Sequence, residues 1–198
     1  MLFRSALGVH SGMGLMKAAR LAPDAWLLPA DFDQYRRYSR MFKEAVRAIA
    51  PEVEDRGIDE IYIDLTALVA SQAEARAMAS RLQTAVREAT GLSCSLGVTP
   101  NKLLSKIASD LRKPGGITVL SAADIPTRIW PLAARKVNGI GPKANAKLEA
   151  LGLHTIGDVA HADPALLTQH FGKNYGAWMH DAAHGRDERR VVTHSEPK

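Results

Sequence analysis

The apolar period of this chain switches between two and three-to-four residues as far as Ser121 and never returns to two after it. That switch constrains the fold more than any other feature. From Asp33 to about Ala50, Tyr35, Tyr38, Met41, Phe42, Ala45, Val46 and Ile49 recur at helical spacing, with Arg36, Arg37, Arg40, Lys43 and Arg47 expected outside. Glu52 to Asp55 and the run Ile61, Ile63, Leu65 alternate as strands around Gly57, which suits a tight turn. Ser71 to Thr90 reads as a second long helix, N-capped by Ser71 with Glu74 three residues on and closed by Gly91. A strand over Ser93 to Val98, a helix from Lys102 to Leu111 and a strand over Gly116 to Leu120 complete the alternating part. The order predicts an α+β layer, a mixed or antiparallel sheet with helices on one face, rather than a doubly wound fold.

Before this part, residues 12–22 read as a short helix ended by Pro23, and Trp26 to Pro29 as a brief extended segment. Beyond Ser121, Asp124 to Gly185 reads as short helices broken by Gly and Pro, a second and all-helical subdomain. At 198 residues and 46% hydrophobic, the chain can close one full core or two small ones. No apolar run reaches the roughly 18 residues of a spanning helix, and no secretory leader pattern opens the chain, so a cytoplasmic address and no membrane partner are expected. Cys94, the single cysteine, sits in an apolar run and is expected to be a buried small hydrophobe.

Asp59 and Glu60 stand side by side where the second hairpin strand begins. Two carboxylates projecting from one hairpin tip repel each other unless a cation lies between them, and clustered oxygen donors of this kind suit Mg²⁺, which takes one or two carboxylates plus substrate phosphates. A solvated acidic turn is the competing reading. The charge distribution favours the first. The net charge of +5 is divided as +4 over residues 1–50, −4 over 51–100, +6 over 101–150 and −1 over 151–198, so an acidic stretch is followed at once by the strongest basic one. That order fits a part that holds cations beside a part that holds phosphates.

Within the basic stretch, Val137-Asn138-Gly139-Ile140-Gly141-Pro142-Lys143 feeds a helix from Ala144 to Leu151 and has the form of a helix-hairpin-helix turn. Gly139 and Gly141 let backbone N–H groups approach a phosphate, the helix N-terminus adds partial positive charge and Lys143 a full one. Such a turn reads backbone, not bases. Lys102 and Lys106 share a helix face, which a solvated charge run explains at least as well for Lys102. Lys113 is held by Pro114-Gly115-Gly116 at the entry to a strand, where a point charge could meet a triphosphate. The histidines show no paired zinc spacing and are expected at the surface or its boundary, while Trp26, Trp130 and Trp178 are expected in core packing.

Taken in order, Gly8-Val9-His10-Ser11-Gly12-Met13, Gly57-Ile58-Asp59-Glu60-Ile61-Tyr62-Ile63-Asp64, Gly97-Val98 with Asn101-Lys102, Lys106 through Lys113-Pro114, and Gly139-Ile140-Gly141 resemble the Y-family translesion DNA polymerases, above all the bacterial DNA polymerase IV group. The resemblance implies a fingers region over residues 1–32, a palm over 33–122, a thumb over 123–190 and, from 191, the start of a linker toward a little-finger domain. It implies that Asp59 and Glu60 are the catalytic and metal-binding carboxylates for a pair of Mg²⁺ ions, that Lys113 contacts the incoming deoxynucleoside triphosphate, and that Gly139, Gly141, Lys143 and Lys106 bind primer–template DNA. It also implies a monomer that would meet a sliding clamp only through a C-terminal region this sequence does not contain. Members of the family open on a strand with a further metal-binding Asp, which no residue here matches. Ser5 stands where their fingers motif carries Arg, with Arg4 one place off, and Gly57 where Ser is commoner. The expectation is therefore a polymerase segment with little nucleotidyl transfer of its own. A non-catalytic, sequence-independent DNA-binding module is the alternative, and a nucleotide-cyclase-like enzyme, which would also pair carboxylates on a hairpin, a third reading against which the Gly139–Lys143 turn argues.

Overall fold

The structure, a computed structural model, describes residues 6–193. Arg4 and Ser5 lie outside the described residues. The chain divides into two compact units, Met1–Gln34 and Tyr35–Lys198. In the first, α1 (Leu15–Leu21) buries none of its residues. Trp26 is 91% exposed, with Leu27 and Leu28 exposed beside it, so the expected core packing of Trp26 is not found. Among the described residues of this unit, α1 and the extended run beside Trp26 bury no large side chain that could form a layer over the indole.

The second unit is entered along α2 (Phe32–Arg47). Its buried positions are Ser39, Lys43 and Val46, whereas Tyr35 and Tyr38 are exposed. The predicted stripe holds from the second half of the helix onward, where Phe42 and Ile49 pack with Val46 on one core, but not at Tyr35 and Tyr38, and Lys43, expected outside, is buried. β1 (Val53–Asp55) and β2 (Ile61–Ile63) form an antiparallel hairpin with Val53 opposite Ile63, Glu54 opposite Tyr62 and Asp55 opposite Ile61. Then follow α3 (Gln72–Thr90), β3 (Leu96–Val98), α4 (Lys102–Leu111) and β4 (Ile117–Val119). β3 and β4 pair in parallel, Gly97 opposite Thr118, with α4 as the crossover that parallel neighbours require. Among the described residues the strands thus make two separate pairs, one antiparallel and one parallel.

Local chemistry explains the helix ends. The Ser71 hydroxyl accepts the Glu74 N–H at 3.2 Å while the Glu74 carboxylate accepts the Ala70 N–H at 2.7 Å, and Gly91 ends α3 at φ 71°. Asn101 caps α4 by accepting the Leu104 N–H at 3.0 Å. After β4 come a 3-10 turn, a π-helical turn at Ile125–Ile129, and the helices α5 (Pro142–Ala150), α6 (Ile156–His161), α7 (Pro164–Phe171) and α8 (Lys173–Ala183).

Among the described residues apolar burial forms two cores. Val46, Ala50, Val53, Leu82 and Val86 pack α2, the hairpin and α3 together, with Ile61, Ile63 and the half-buried Cys94 against them. Leu103, Leu104 and Ile107 of α4 instead join Ile125, Ile129, Leu148, Ile156, Leu167 and Met179 of the helical part. α4 thus ties the helical part to the strands. Among the described residues no helix is long and apolar enough to cross a membrane.

Candidate active site and nucleic-acid interface

The hairpin tip is built from below by a lysine. The Lys43 ammonium donates to the Asp55 carboxylate at 2.9 Å and to the Gly57 carbonyl at 2.6 Å, and the same Asp55 oxygen accepts the Gly57 N–H at 2.9 Å. Gly57 takes φ 120°, in the region that favours glycine. Burial on its own would raise the Asp55 carboxyl, but Lys43 and the Gly57 N–H hold it below the ordinary aspartate value. This three-residue lock fixes the turn from which the acidic pair projects.

Asp59 is exposed and makes no hydrogen bond or ion pair among the described residues. Glu60, half-exposed, forms an ion pair with Lys106 of α4. Lys102, one turn earlier on the same helix, meets Glu54 at 2.6 Å, and its ammonium lies 5.3 Å from the centre of the Tyr62 ring. The two lysines of α4 therefore match two carboxylates on the polar face of the hairpin, with Tyr62 between them. Burial alone would depress the Lys106 ammonium, but the hydrogen bond and charge of Glu60 carry it above the ordinary lysine value. Lys102 is not on a solvated face, since its side chain is 11% exposed. Lys106, expected on DNA, lies on Glu60.

Residues past α8 close over this face. Asn101 donates to the Gly185 carbonyl at 2.7 Å, the Asp187 carboxylate accepts the Leu103 N–H at 2.9 Å, and Glu54 accepts the Val192 N–H at 2.9 Å. Sequence reasoning missed this strap, as it missed Lys43 and Glu54. The pairing of a carboxylate with an amide about a hundred residues away leaves no local pattern.

The donor chemistry of the acidic pair fits Mg²⁺ in the mode that uses one or two carboxylates and completes its shell with phosphates and water. Among the described residues no group of three or more His, Cys, Asp or Glu side chains is arranged to hold a metal ion. Lys113 is exposed and pairs with Asp110 at 2.6 Å rather than with the other expected site residues. Its turn is held at Gly115, whose carbonyl accepts from Gln83 at 2.9 Å and whose N–H donates to Ser95 at 3.0 Å.

Gly139 and Gly141 lie in one turn leading into α5, with Pro142 at its first position. The Ile140 N–H bonds the Val137 carbonyl at 3.0 Å, whereas the N–H groups of Gly139 and Gly141 have no partner among the described residues. Lys143 is exposed in the first turn of α5. Two free amides, a helix N-terminus and an ammonium make a surface suited to a phosphodiester backbone.

The model of the impB/mucB/samB family matches residues 4–110, and that of the DNA polymerase-iota thumb domain matches residues 135–187. DNA polymerase IV of Shewanella amazonensis is 37% identical over 193 residues, covering 98% of this chain and 54% of that protein. DNA polymerase IV 1 of Halalkalibacterium halodurans is 40% identical over 186 residues, 94% of this chain and 45% of its own length. Among solved structures, DinB from Sulfolobus solfataricus superposes with a TM-score of 0.87 at 25% identity, over 96% of this chain and 56% of that one. A Dbh ternary complex does so with a TM-score of 0.85 at 26% identity, over 98% and 58%. The chain spans about half the length of the curated relatives it matches. On the match over residues 4–110, a span that includes the hairpin and α4, the chain belongs to the impB/mucB/samB family, the Y-family of DNA polymerases.

Proposed function

We propose that the chain carries fingers (1–32), palm (33–122) and thumb (123–190) of a translesion DNA polymerase, and that residues from 191 begin a linker. The reaction is template-directed transfer of deoxynucleotides to a primer 3′-hydroxyl past damaged bases. Its partners are primer–template DNA and deoxynucleoside triphosphates, and the protein works as a cytoplasmic monomer. The observation that carries this reading is the Asp59–Glu60 pair at the head of a locked hairpin, in a chain of this family.

Asp59 and Glu60 would hold Mg²⁺, which when bound lowers the pKa of an attacking hydroxyl and steadies charge on the departing pyrophosphate. The protein's own contributions are positional. Lys43 keeps the turn in one conformation, and Lys106 balances the charge of Glu60. Lys113 offers a point charge to the triphosphate from a turn tied to α3 through Gln83. Gly139, Gly141 and Lys143 hold the DNA backbone without reading its sequence.

A second reading, a DNA-binding module without catalysis, is favoured by the same Lys106 pairing. One of the two carboxylates is already neutralised, and among the described residues no third acidic side chain joins them to hold a pair of ions. Transfer by the 198-residue chain is accordingly expected to be slow. Primer extension with Mg²⁺ separates the two: extension abolished by Asp59→Ala establishes the polymerase, whereas salt-sensitive DNA binding that survives Asp59→Ala, fails in Lys143→Glu and brings no extension establishes the module.

A further inference from the structure

The turn proposed to meet DNA is held from behind by two aromatic side chains of α8. The Tyr175 hydroxyl donates to the Gly139 carbonyl at 2.6 Å. The Trp178 ring lies against Gly139 so closely that a Cβ there would stand 2.5 Å from its Cη2. Tyr175 and Trp178 are stacked, with ring centroids 5.3 Å apart and planes 7° from parallel, and Phe171 meets Tyr175 edge-on at 6.3 Å. Trp178, Tyr175 and Phe171 in turn pack on the helical core. Gly139 itself takes φ 116°.

The two glycines of the turn therefore answer to different demands. At Gly139 a side chain is excluded by the protein's own indole and by the backbone conformation. At Gly141, with ordinary φ of −78°, a Cβ would meet nothing within 4 Å. One side of the turn is filled by the fold, and the other is open beside two unpartnered N–H groups.

We infer that Tyr175 and Trp178 are positioning residues for the phosphate contact, holding the Gly139–Gly141 turn in its binding conformation before DNA arrives. Binding then orders nothing in the turn, and the ordering cost that a loose turn would bring at that step is absent. Tyr175 reaches the DNA only through Gly139. The inference rests on the reading of this turn as a DNA contact.

Fluorescence anisotropy of a labelled primer–template duplex with the 198-residue chain, over a range of salt, tests it. Tyr175→Phe removes one hydrogen bond and keeps the ring stack. It should weaken binding about threefold to tenfold, leave the salt slope unchanged because no phosphate contact is lost, and leave the thermal midpoint within about 2 °C of the parent. Lys143→Glu should weaken binding and lower the slope by about one. A Tyr175→Phe chain that binds like the parent while Lys143→Glu is impaired overturns the positioning role and spares the DNA contact. A midpoint that falls in step with affinity also overturns it, by making Tyr175 a stability residue. If Lys143→Glu binds like the parent, the turn is not a DNA contact and both fall together.

Discussion

The Glu54 carboxylate and the Lys102 ammonium meet at 2.6 Å, with side chains 9% and 11% exposed. The same Glu54 oxygen accepts the Val192 N–H at 2.9 Å, and Lys102 also donates to the Arg190 carbonyl at 2.9 Å. A hairpin strand, α4 and the segment past α8 are thus joined at one enclosed charge pair. The polar face of the hairpin, from which Glu60 reaches Lys106, is fixed by that junction.

Removing one partner of this pair should cost much more than removing both. Lys102→Ala leaves Glu54 charged, enclosed and short of its strongest donor, a loss of about 3–5 kcal/mol for a buried pair. Glu54→Gln with Lys102→Met removes both charges, keeps most of the volume and should cost clearly less. Urea unfolding of the two variants measures the difference. Equal losses would mean that packing, not charge, holds the junction.

Acid should loosen the same junction. Burial on its own would raise the Glu54 carboxyl, but hydrogen bonds from Lys102 and Val192 and the charges of Lys102 and Arg56 hold it below the ordinary value. At Asp187, burial is likewise outweighed, chiefly by Arg189 and also by the Leu103 N–H. A carboxyl with a lowered folded pKa binds fewer protons folded than unfolded. Its stabilisation is complete above the unfolded value of about 3.9 to 4.3 and is lost as pH falls through the lower folded value. These carboxyls should therefore make the unfolding free energy fall below about pH 5, with a shallower acid limb in Glu54→Gln. Lys106 has the opposite sign. Its raised pKa gives stabilisation present below about pH 10.4 and lost as pH climbs past the folded value, so Lys106→Met should flatten the alkaline limb.

What could be read from the sequence was what is local. The period-two runs around Gly57 gave the hairpin, Ser71, Glu74 and Gly91 marked both ends of α3, and the loss of strands after Ser121 marked where helices take over. Lys43 could not be read, because its partners Asp55 and Gly57 lie 12 and 14 residues on and its own neighbourhood is a basic helix face. Lys102 failed for the same reason, being paired across 48 residues. Trp26 misled because an apolar neighbourhood in sequence is not a packing layer. At Gly139 the residue type was foreseen and its cause was incomplete, since the indole that excludes a side chain comes from α8. The change of period at Ser121 also hid that Leu104 of α4 shares its core with Ile125 and the helices beyond.

Glycine replacements should separate structural from ligand-facing positions. A Cβ at Gly97 would stand 2.3 Å from the Ser105 carbonyl oxygen and 2.6 Å from the Ser109 nitrogen, both backbone atoms of α4 that cannot rotate away. Gly97→Ala should therefore part β3 from α4 and cost about 1–3 kcal/mol or more. Gly141→Ala meets nothing and should change stability by no more than about 0.5 kcal/mol. If a phosphate approaches Gly141, the same silent substitution should weaken DNA binding. Thermal melts and duplex titrations on both variants give the pattern, and a Gly97→Ala chain as stable as the parent would sink the steric argument.

Asp59→Asn isolates the chemistry from the fold. Asp59 is exposed and unpartnered among the described residues, so the near-isosteric amide should leave stability within about 0.5 kcal/mol. The substitution also removes a negative charge that would face a polyanion, so duplex affinity at low salt should hold or rise slightly. Divalent-ion binding should fall sharply, because an amide oxygen donates to a hard cation without the charge that offsets the ion's dehydration. Mn²⁺ titration followed by electron paramagnetic resonance, in the presence of duplex and a deoxynucleoside triphosphate, reads this apart from turnover. Glu60→Gln is the informative companion. It removes a carboxylate whose charge Lys106 already balances, so its effect on ion binding should be smaller than that of Asp59→Asn, while its effect on stability should be larger through the lost ion pair. If Glu60→Gln abolished Mn²⁺ binding and Asp59→Asn left it intact, the order of the two carboxylates argued from Lys106 would be reversed.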